Sequence, residues 1–351
     1  MKILFCGLGG IGQRHLRNLR ELLGDDLQVH AYRVRGQRIK LRDNLTIDEG
    51  ADLERDYRIQ VHHDLAAALA QRPDAVFVCN PNALHVPVAL DCVRAGVPVF
   101  MEKPLASDLA GVAELLAEVK ARKLLFHVGY NFRFHPGLQR LKALVEAGFF
   151  GRLLSVRSEI GEYLPNWHRY EDYRQMYAAR ADQGGGVILS QIHEMDLIYW
   201  LFGLPRSIVT HGGQLSGLEV DVEDTASSLM RSDGPGGGFP ILLHQDFLQR
   251  PPVRTLKIVG DAGFAEIDLL ANRLRVHDAQ GELCEQDDFP GFVRNDMFLA
   301  QARHFLDCLA QGTRPVVDLQ DGLQSLRLAL AALRSLREGR EVLLSEVDIH
   351  G

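Results

Sequence analysis

The sequence predicts an α/β protein that opens with a doubly wound parallel sheet and continues into a second, strand-rich domain. Three observations predict this class. Short apolar stretches alternate with stretches of helical period over residues 1–128. A glycine-rich turn joins the first apolar stretch to the first helical one. The later half carries several strand-like stretches separated by turns such as SDGPGGG and GDAG.

Length and composition predict a two-domain, cytoplasmic protein. The chain has 351 residues, of which 46% are hydrophobic and 24% charged, and its net charge is -7. This length accommodates two domains, and the acidic balance gives no reason to expect nucleic acid or an anionic membrane as a partner. Five scattered cysteines without a CxxC pair favour reduced thiols. We recognise no signal peptide and no apolar stretch of bilayer length.

The stretch KILFCGLGGIG predicts a Rossmann-type phosphate turn between a buried strand and a helix. In such a turn, Gly7 allows the tight bend, Gly9 lets the backbone approach a pyrophosphate, and Gly12 lets the helix pack on the strand. The helix that begins near Gly10 and Ile11 would direct its free N–H groups at the anion. The turn therefore predicts a dinucleotide cofactor, although a glycine-rich turn can also be purely structural.

The strand LQVHAY ends where the residue that reads the ribose is expected. An acidic residue there would favour NAD, but this chain has YRVRGQR, with Arg33, Arg35 and Arg38. Guanidinium groups suit a 2′-phosphate through charge-assisted, bidentate hydrogen bonds. We therefore expect NADP or NAD, with a preference for NADP. The alternative is that these arginines face solvent at the end of a strand.

Three polar segments follow predicted strands of the first sheet. They are Asn80-Pro81-Asn82, Glu102-Lys103-Pro104 and Tyr130-Asn131-Phe132-Arg133. The carboxyl ends of parallel strands meet at one edge of a sheet, and ligands of doubly wound sheets bind beyond that edge. The three segments are therefore expected to line one binding crevice.

Five motifs, GLGGIG-x-RH, CNPNALH, MEKPLA, GYNFRFHP and GGGVILSQIHEMDLIYWLFG, occur in this order from Met1 to about Gly203. Together they resemble the Gfo/Idh/MocA family of oxidoreductases, which includes glucose-fructose oxidoreductase and inositol dehydrogenase. The resemblance implies a Rossmann domain over residues 1–128 and an α/β domain over residues 129–351, with the final helices able to pack back on the first domain. It also implies that the second domain has a large, mostly antiparallel sheet that forms homodimers or homotetramers.

The strand ends, the later motifs and the segment before His193 contain the residues that we expect to contact the ligands. Beside the glycine turn, Arg33 and Arg35, the expected cofactor-binding residues are Asn80, Pro81, Asn82, His85, Glu102 and Lys103. The expected substrate-binding residues are Tyr130, Arg133, Trp167, His168, Gln191 and His193. The expected substrate is a sugar, a cyclitol, a sugar acid or a sugar nucleotide.

Lys103 and His193 are the candidate catalytic residues. Hydride transfer from an alcohol requires a group that takes the hydroxyl proton and donors that hold the oxygen in line. Pro104 biases the preceding lysine toward extended geometry at the end of its strand. The family carries a histidine at the position of His193 that acts as general acid/base, and the resemblance transfers this role. An ordinary surface lysine and a hydrogen-bonded core histidine are the alternatives.

The chain departs from the family pattern near His193. Many family members carry an aspartate about one turn before the histidine, whereas this sequence has Leu189, Ser190 and Gln191. We expect one amphipathic helix that ends at Gly203 and places Leu189, His193 and Asp196 on one face. HEMD lacks the second histidine of a zinc motif, and we expect no metal. His62-His63-Asp64 does not suggest a metal either, because Asp64 lies at a strand-to-helix junction and suits an N-cap.

The segment over residues 161–186 is rich in Tyr, Trp, His and Arg and lacks an apolar period. We predict a loop over the crevice in which Trp167, His168 and Tyr173 face a sugar-like substrate. Arg169, Arg174 and Arg180 of the same segment would suit a carboxylate or phosphate. An exposed or interface loop that never contacts the ligand is an equal alternative.

Three functional hypotheses follow. The first is an NAD(P)-dependent dehydrogenase or reductase that acts on CH–OH groups. The second is a glycosidase or epimerase that oxidises its substrate transiently and retains the cofactor. The third is a dinucleotide sensor without turnover, which the missing aspartate favours and the pair of Lys103 and His193 opposes.

Overall fold

The computed structural model describes residues 1–34, 36, 38–234 and 237–349. The chain divides into two compact units, and each unit contains one β-sheet. The first unit comprises Met1–Tyr130, His168–Asp172 and Phe298–Leu323; the second comprises Asn131–Trp167, Tyr173–Met297 and Gln324–Gly351. No helix in the described ranges has the length and apolar character needed to cross a membrane.

The first unit contains a six-stranded sheet with the order β3-β2-β1-β4-β5-β6. All of its strand pairs are parallel, which confirms the predicted doubly wound sheet. Because the order reverses between β1 and β4, the crevice beside these two strands is the topological switch point. The strands are β1 (Lys2–Cys6), β2 (Gln28–Tyr32), β3 (Gln60–His62), β4 (Ala75–Val78), β5 (Val99–Met101) and β6 (Phe126–Val128).

Short helices connect these strands. They are α1 (Gly10–Leu23), α2 (Leu53–Asp56), α3 (Leu65–Leu69), α4 (His85–Arg94) and α5 (Val112–Arg122). The Asp64 carboxylate accepts the N–H of Ala67, so the predicted N-cap of α3 is confirmed. The helix α5 begins after Gly111, which lies in the left-handed region with φ of 73°.

A cluster of aromatic side chains lies within the otherwise aliphatic core of the first unit. Phe77 and Phe100, on the adjacent strands β4 and β5, stack with ring centroids 4.5 Å apart. Phe305, from the helix α9 (Arg294–Gln311), meets both rings edge-on at 5.5 Å. Each fully buried phenylalanine contributes about 1.5–3 kcal/mol of hydrophobic free energy, so this cluster holds β4 and β5 firmly in place.

The second unit contains a nine-stranded sheet with the order β14-β13-β12-β11-β7-β10-β9-β8-β15. Among the strand pairs of the described residues, only β7 and β10 are parallel, which confirms the expected large, mostly antiparallel sheet. Its strands are β7 (Leu153–Gly161), β8 (Ser207–Gly213), β9 (Thr225–Gly234), β10 (Gly237–Asp246), β11 (Val253–Gly260), β12 (Gly263–Asp268), β13 (Arg273–Asp278), β14 (Leu283–Asp287) and β15 (Val342–Leu343).

The helices of the later chain are α6 (Pro136–Glu146), α7 (Val187–Ser190), α8 (His193–Phe202), α9 and α10 (Leu319–Glu338). The prediction of one continuous helix through His193 is wrong, because α7 and α8 are separate. Between them, the carbonyl oxygen of Gln191 accepts a hydrogen bond of 3.0 Å from the Gln245 side chain. This bond replaces helical continuation at Gln191, and α8 ends at Gly203 as predicted.

Candidate active site

The glycine turn between β1 and α1 has the geometry of a phosphate cradle. A Cβ atom on Gly7 would lie 2.7 Å from the carbonyl oxygen of Cys79, and one on Gly12 would collide with the carbonyl oxygen of Gly7. Gly7 also has a φ of 101°, which only glycine adopts readily. By contrast, nothing lies within 4 Å of the Cβ position of exposed Gly9. The fold therefore excludes side chains at Gly7 and Gly12 but leaves open space at Gly9.

The start of α1 offers uncapped backbone donors next to this space. The helix begins at Gly10, and no side chain caps it through Gly9. The first N–H groups of a helix have no carbonyl partner within the helix, and its N-terminus carries a partial positive charge. Gly10 and Ile11 thus provide the donors that the sequence predicted for an anion.

Asn80 follows β4 and adjoins the glycine turn. A Cβ atom on Gly7 would lie 2.8 Å from the Asn80 backbone nitrogen. The Asn80 side-chain nitrogen reaches the carbonyl oxygen of Leu84 at 3.4 Å, whereas its buried Oδ1 has no hydrogen-bond partner among the described residues. An unpaired buried oxygen at this point suits a ligand donor. Pro81 precedes a short 3-10 turn, in which Asn82 is buried.

His85 connects two of the polar segments. Its Nδ1 lies 2.7 Å from the carbonyl oxygen of Pro104, and its Nε2 lies 2.9 Å from that of Asn80. Burial lowers the pKa of His85, while both carbonyl groups act in the opposite direction. Both ring nitrogens are thus engaged inside the chain, and His85 ties the turn after β4 to the turn after β5.

Glu102 and Lys103 follow β5 directly. The buried Glu102 carboxylate lies 2.6 Å from Nε2 of His15 on α1, and it accepts the backbone N–H of Lys103 at 3.2 Å. Lys103 itself is half-buried. The carboxylate has room because residue 129 is glycine, where a Cβ atom would lie 3.2 Å from the carboxylate. The sequence reasoning missed the contact between Glu102 and His15.

Arg33 follows β2 and is already paired. Its Nη1 donates to Oε1 of Glu54 at 2.6 Å, and Arg38 lies 3.2 Å from the other oxygen of the same carboxylate. Arg33 is buried, whereas Arg38 is exposed. Arg35 lies outside the described residues. Glu54 on α2 therefore places a carboxylate beside both arginines, although the strand end itself has no acidic residue.

The predicted covering segment divides between the two units. In the first unit, the hydroxyl oxygen of Tyr170 lies 3.0 Å from the Cβ position of Gly10, so Tyr170 lies against the start of α1. His168 stacks on Tyr170 and forms a 2.8 Å contact with Glu171. In the second unit, Trp167 packs edge-on against Phe247, and its Nε1 has no hydrogen-bond partner among the described residues.

Two of the three predicted arginines of this segment have acidic partners within the second unit. Arg174 donates to Glu219 at 3.0 Å, and Arg180 forms a two-point contact with Asp182. These contacts lie on the exposed side of the second unit. They reduce the positive potential available for a substrate carboxylate or phosphate.

His193 begins α8 in the second unit and is half-buried. Phe132 contacts its ring edge-on, with centroids 5.0 Å apart. The preceding Gln191 is buried, and its side-chain nitrogen donates to the carbonyl oxygen of Asp246 at 2.9 Å. These contacts fix the turn between α7 and α8, so His193 occupies a defined position on α8.

A buried ion pair lies on the same helix. Arg133 donates to both oxygens of Asp196 at 3.0 and 2.7 Å, and both side chains are almost fully buried. Ser325 donates to the same carboxylate at 2.9 Å. The sequence reasoning assigned Arg133 to substrate and missed Asp196 as its partner. Tyr130, another predicted substrate residue, is fully buried in the first unit.

A second buried pair supports the start of α8. Arg254 donates to Glu194 at 2.7 Å, and its guanidinium carbon lies 4.0 Å above the ring of Phe132. Burial raises the pKa of Glu194, and Arg254 opposes this effect. The described residues contain no group of three or more His, Cys, Asp or Glu side chains arranged to hold a metal ion.

A doubly wound sheet with a glycine cradle at its switch point defines a dinucleotide-binding class of protein. Comparison of the sequence with known protein families agrees with this class. Residues 1–130 match the GFO/IDH/MocA oxidoreductase family, NAD-binding Rossmann fold, and residues 138–266 match the GFO/IDH/MocA C-terminal domain. Because these two matches cover most of the chain, the protein belongs to the GFO/IDH/MocA family of oxidoreductases.

The similarity to individual proteins extends over almost the whole chain. The myo-inositol 2-dehydrogenase of Thermotoga maritima is 28% identical over 357 residues, which cover 99% of each chain. The WlbA dehydrogenase from Bordetella pertussis, solved with NADH and UDP-GlcNAcA, is 22% identical, with a TM-score of 0.79 and 98% coverage of each chain. An oxidoreductase from Agrobacterium radiobacter, solved with NAD+, L-tartaric acid and magnesium, is 19% identical, with a TM-score of 0.79 and 99% coverage of each chain. The two solved structures support the fold.

Proposed function

We propose that this chain is a nicotinamide-dependent dehydrogenase or reductase that acts on a CH–OH group of a sugar, cyclitol, sugar acid or sugar nucleotide. The observation that carries the proposal is the cradle in which Gly7 and Gly12 are closed to side chains while Gly9 faces open space. The names of similar proteins support the substrate class: one acts on myo-inositol, and another was solved with UDP-GlcNAcA.

The residues present fit a dinucleotide. Gly9 leaves room for a pyrophosphate, the N–H groups of Gly10 and Ile11 would bind it, and the unpaired Oδ1 of Asn80 would accept a ligand hydrogen bond. When bound, the nicotinamide supplies hydride acceptance and donation, which amino acid side chains do not provide. His85 and Glu102, whose polar groups are engaged inside the chain, would shape the site without binding the cofactor through those groups.

We propose that NAD is preferred over NADP. The arginines after β2 suggested NADP, but the Glu54 carboxylate pairs with Arg33 and neighbours Arg38. A 2′-phosphate at this position would meet the negative charge of Glu54. NADP binding would therefore require Arg33 to exchange Glu54 for the phosphate.

Lys103 and His193 are the proposed acid–base residues. Each is half-buried, so each keeps a surface toward solvent or ligand while its backbone is fixed by neighbouring contacts. An ammonium or imidazole group can hold the substrate oxygen and transfer its proton during oxidation or reduction. Asp196, one turn after His193, is held by Arg133 and Ser325, so it does not replace the missing aspartate.

The substrate residues separate into two proposed roles. Trp167, His168 and His193 retain exposed surface, and we propose that they contact substrate. The remaining residues, Tyr130, Arg133 and Gln191, are buried, and we propose that they hold the contacting residues in place. A buried guanidinium that is already paired would have to break a charged contact before it could bind a ligand.

We also propose that a second copy of the chain covers one face of the nine-stranded sheet. Leu229 on β9 and Leu242 on β10 are direct neighbours in register, and they are 49% and 42% exposed. Val209 on β8 lies opposite Leu229 on the other side. Adjacent exposed leucines on a sheet face favour a self-complementary contact between two copies.

A substrate screen tests the proposed reaction. Purified protein is incubated with NAD or NADP and a panel of cyclitols, free sugars, sugar acids and sugar nucleotides, and reduced nicotinamide is followed by absorbance. With an active substrate, Lys103→Met and His193→Gln should each lower kcat by about 100-fold or more. Lys120→Met and His211→Gln, at exposed positions, are the matched controls and should retain activity.

Other outcomes would point to the other hypotheses. Product without accumulation of reduced nicotinamide would indicate a cofactor-retaining glycosidase or epimerase. Tight dinucleotide binding without turnover of any class on the panel would indicate a sensor. Full activity of Lys103→Met or His193→Gln would refute the proposed role of that residue.

A further inference from the structure

The buried contact between His15 and Glu102 has no part in the reaction described so far. His15 lies on α1 and Glu102 follows β5, so the contact joins residues 87 positions apart. His15 is fully buried, and only 8% of the Glu102 side chain is exposed. Nε2 of His15 and Oε1 of Glu102 lie 2.6 Å apart, a short hydrogen-bond distance.

The surroundings of His15 indicate which of its two ring nitrogens carries the proton. The ring meets Phe100 edge-on, with centroids 4.8 Å apart, and lies 5.5 Å from Phe77. Its Nδ1 is buried and has no hydrogen-bond partner among the described residues. A neutral ring with its proton on Nε2 donates to Glu102 and leaves only an unprotonated nitrogen without a partner. This tautomer avoids an unsatisfied buried N–H group.

The Glu102 carboxylate contacts both His15 and the backbone of the next residue, Lys103. One of its oxygens faces His15, and the other accepts the backbone N–H of Lys103. The absence of a side chain at Gly129 leaves the space that the carboxylate fills. A rotation of the Glu102 side chain would therefore remove the hydrogen bond to the Lys103 backbone.

We propose that His15 is a positioning residue for Lys103 and acts through Glu102. The proposal rests on the proposed function, in which Lys103 handles the substrate proton. The helix α1 also begins at the phosphate cradle. Through His15, the same helix would therefore position both the pyrophosphate and Lys103. A small displacement of a reacting group lowers the rate steeply, so this geometry has a direct kinetic consequence.

The test compares His15→Leu, which removes the donor, with His15→Gln, which offers a side-chain N–H at a similar distance from the backbone. His127→Leu is the matched control, because His127 is a fully buried histidine of the same unit whose Nε2 contacts Gln301. Each variant is assayed for kcat, KM, Tm, dinucleotide affinity and the rate at which Lys103 is reductively methylated in cofactor-free protein.

The proposal expects His15→Leu to lower kcat by about 10- to 100-fold with little change in KM. It also expects a changed rate of Lys103 methylation in His15→Leu. His15→Gln should recover kcat and the methylation rate, whereas His127→Leu should lower Tm and leave both of them unchanged. Wild-type kcat and Lys103 methylation in His15→Leu, with a loss of Tm like that of His127→Leu, would overturn the proposal.

A second variant keeps the test decisive if His15→Leu does not fold. Glu102→Gln preserves size, but its amide group must turn an N–H toward one of the two partners. Toward the Lys103 backbone, it breaks that hydrogen bond; toward His15, it obliges the ring to move its proton to Nδ1, which has no partner among the described residues. It should alter Lys103 methylation and kcat in the same direction as His15→Leu, and unchanged values would refute the proposal. Full activity of Lys103→Met would refute the proposed role of Lys103 in the reaction, whereas the methylation rate reports on His15 independently.

Discussion

Glu223 is the carboxyl group for which the structure makes the sharpest quantitative prediction. Its Oε1 accepts the N–H of Ile188 at 3.1 Å, in the first turn of α7. Residue 186 lies beside Glu223 and must be glycine, because a Cβ atom there would collide with this carboxylate. Burial raises the pKa of Glu223 from 4.5 to about 7; the N–H of Ile188 opposes the rise and the Asp224 charge adds to it.

The sign and size of the effect follow from this pKa. Between 4.5 and about 7, Glu223 is protonated in the folded chain and ionised in the unfolded chain. Folding is therefore favoured at low pH, and stability falls as the pH rises through this range. The full difference corresponds to roughly 3 kcal/mol of unfolding free energy.

The substitution Glu223→Gln removes the charge and keeps an oxygen that can accept from Ile188. We expect wild type and variant to agree within about 1 kcal/mol near pH 5, because the hydrogen bond is retained. At about pH 8.5 the variant should be more stable by up to roughly 3 kcal/mol. Urea unfolding of both proteins across this range measures the difference. Parallel pH dependences of the two proteins would refute the assigned burial of the carboxyl group.

The remaining predictions concern the Arg133–Asp196 ion pair, the Arg33–Glu54 ion pair and the exposed face of the nine-stranded sheet. Arg133→Met should destabilise the fold by about 3–5 kcal/mol, because it leaves the Asp196 charge buried and unpaired; thermal unfolding measures this, and the double variant with Asp196→Asn should recover part of the loss. Glu54→Gln should raise the affinity for NADP relative to NAD, and equal changes for both cofactors in a calorimetric titration would contradict the proposed role. Leu229→Lys should shift the protein to monomer in light scattering, and an unchanged mass would exclude this face as the contact.

Local patterns in the sequence predicted the first unit well. The glycine turn, the N-cap at Asp64 and the polar segments after β4 and β5 all depend on residues close together in the chain. A glycine at position 7 indicates the tight bend, and the continuous apolar run of β4 indicates a strand buried on both faces. The parallel sheet then follows from the alternation of strands and helices.

Contacts between distant residues account for what the sequence did not predict. The helix break before His193 depends on Gln245, which lies 54 residues from Gln191. The partner of Arg133 lies 63 residues away, and no spacing rule connects the two. Glu54 reaches Arg33 from α2, so the charge around Arg33 could not be judged from the end of β2 alone.

Calorimetric titration of cofactor-free protein with NAD, comparing wild type, Gly9→Ala and Gly217→Ala, tests the central claim most directly. Both substitutions add a methyl group where the fold leaves space, so neither should change Tm. The account predicts that Gly9→Ala weakens NAD binding strongly, because the methyl group enters the space assigned to the pyrophosphate, while Gly217→Ala binds like wild type. Equal NAD affinity in all three proteins would contradict a dinucleotide site at this turn.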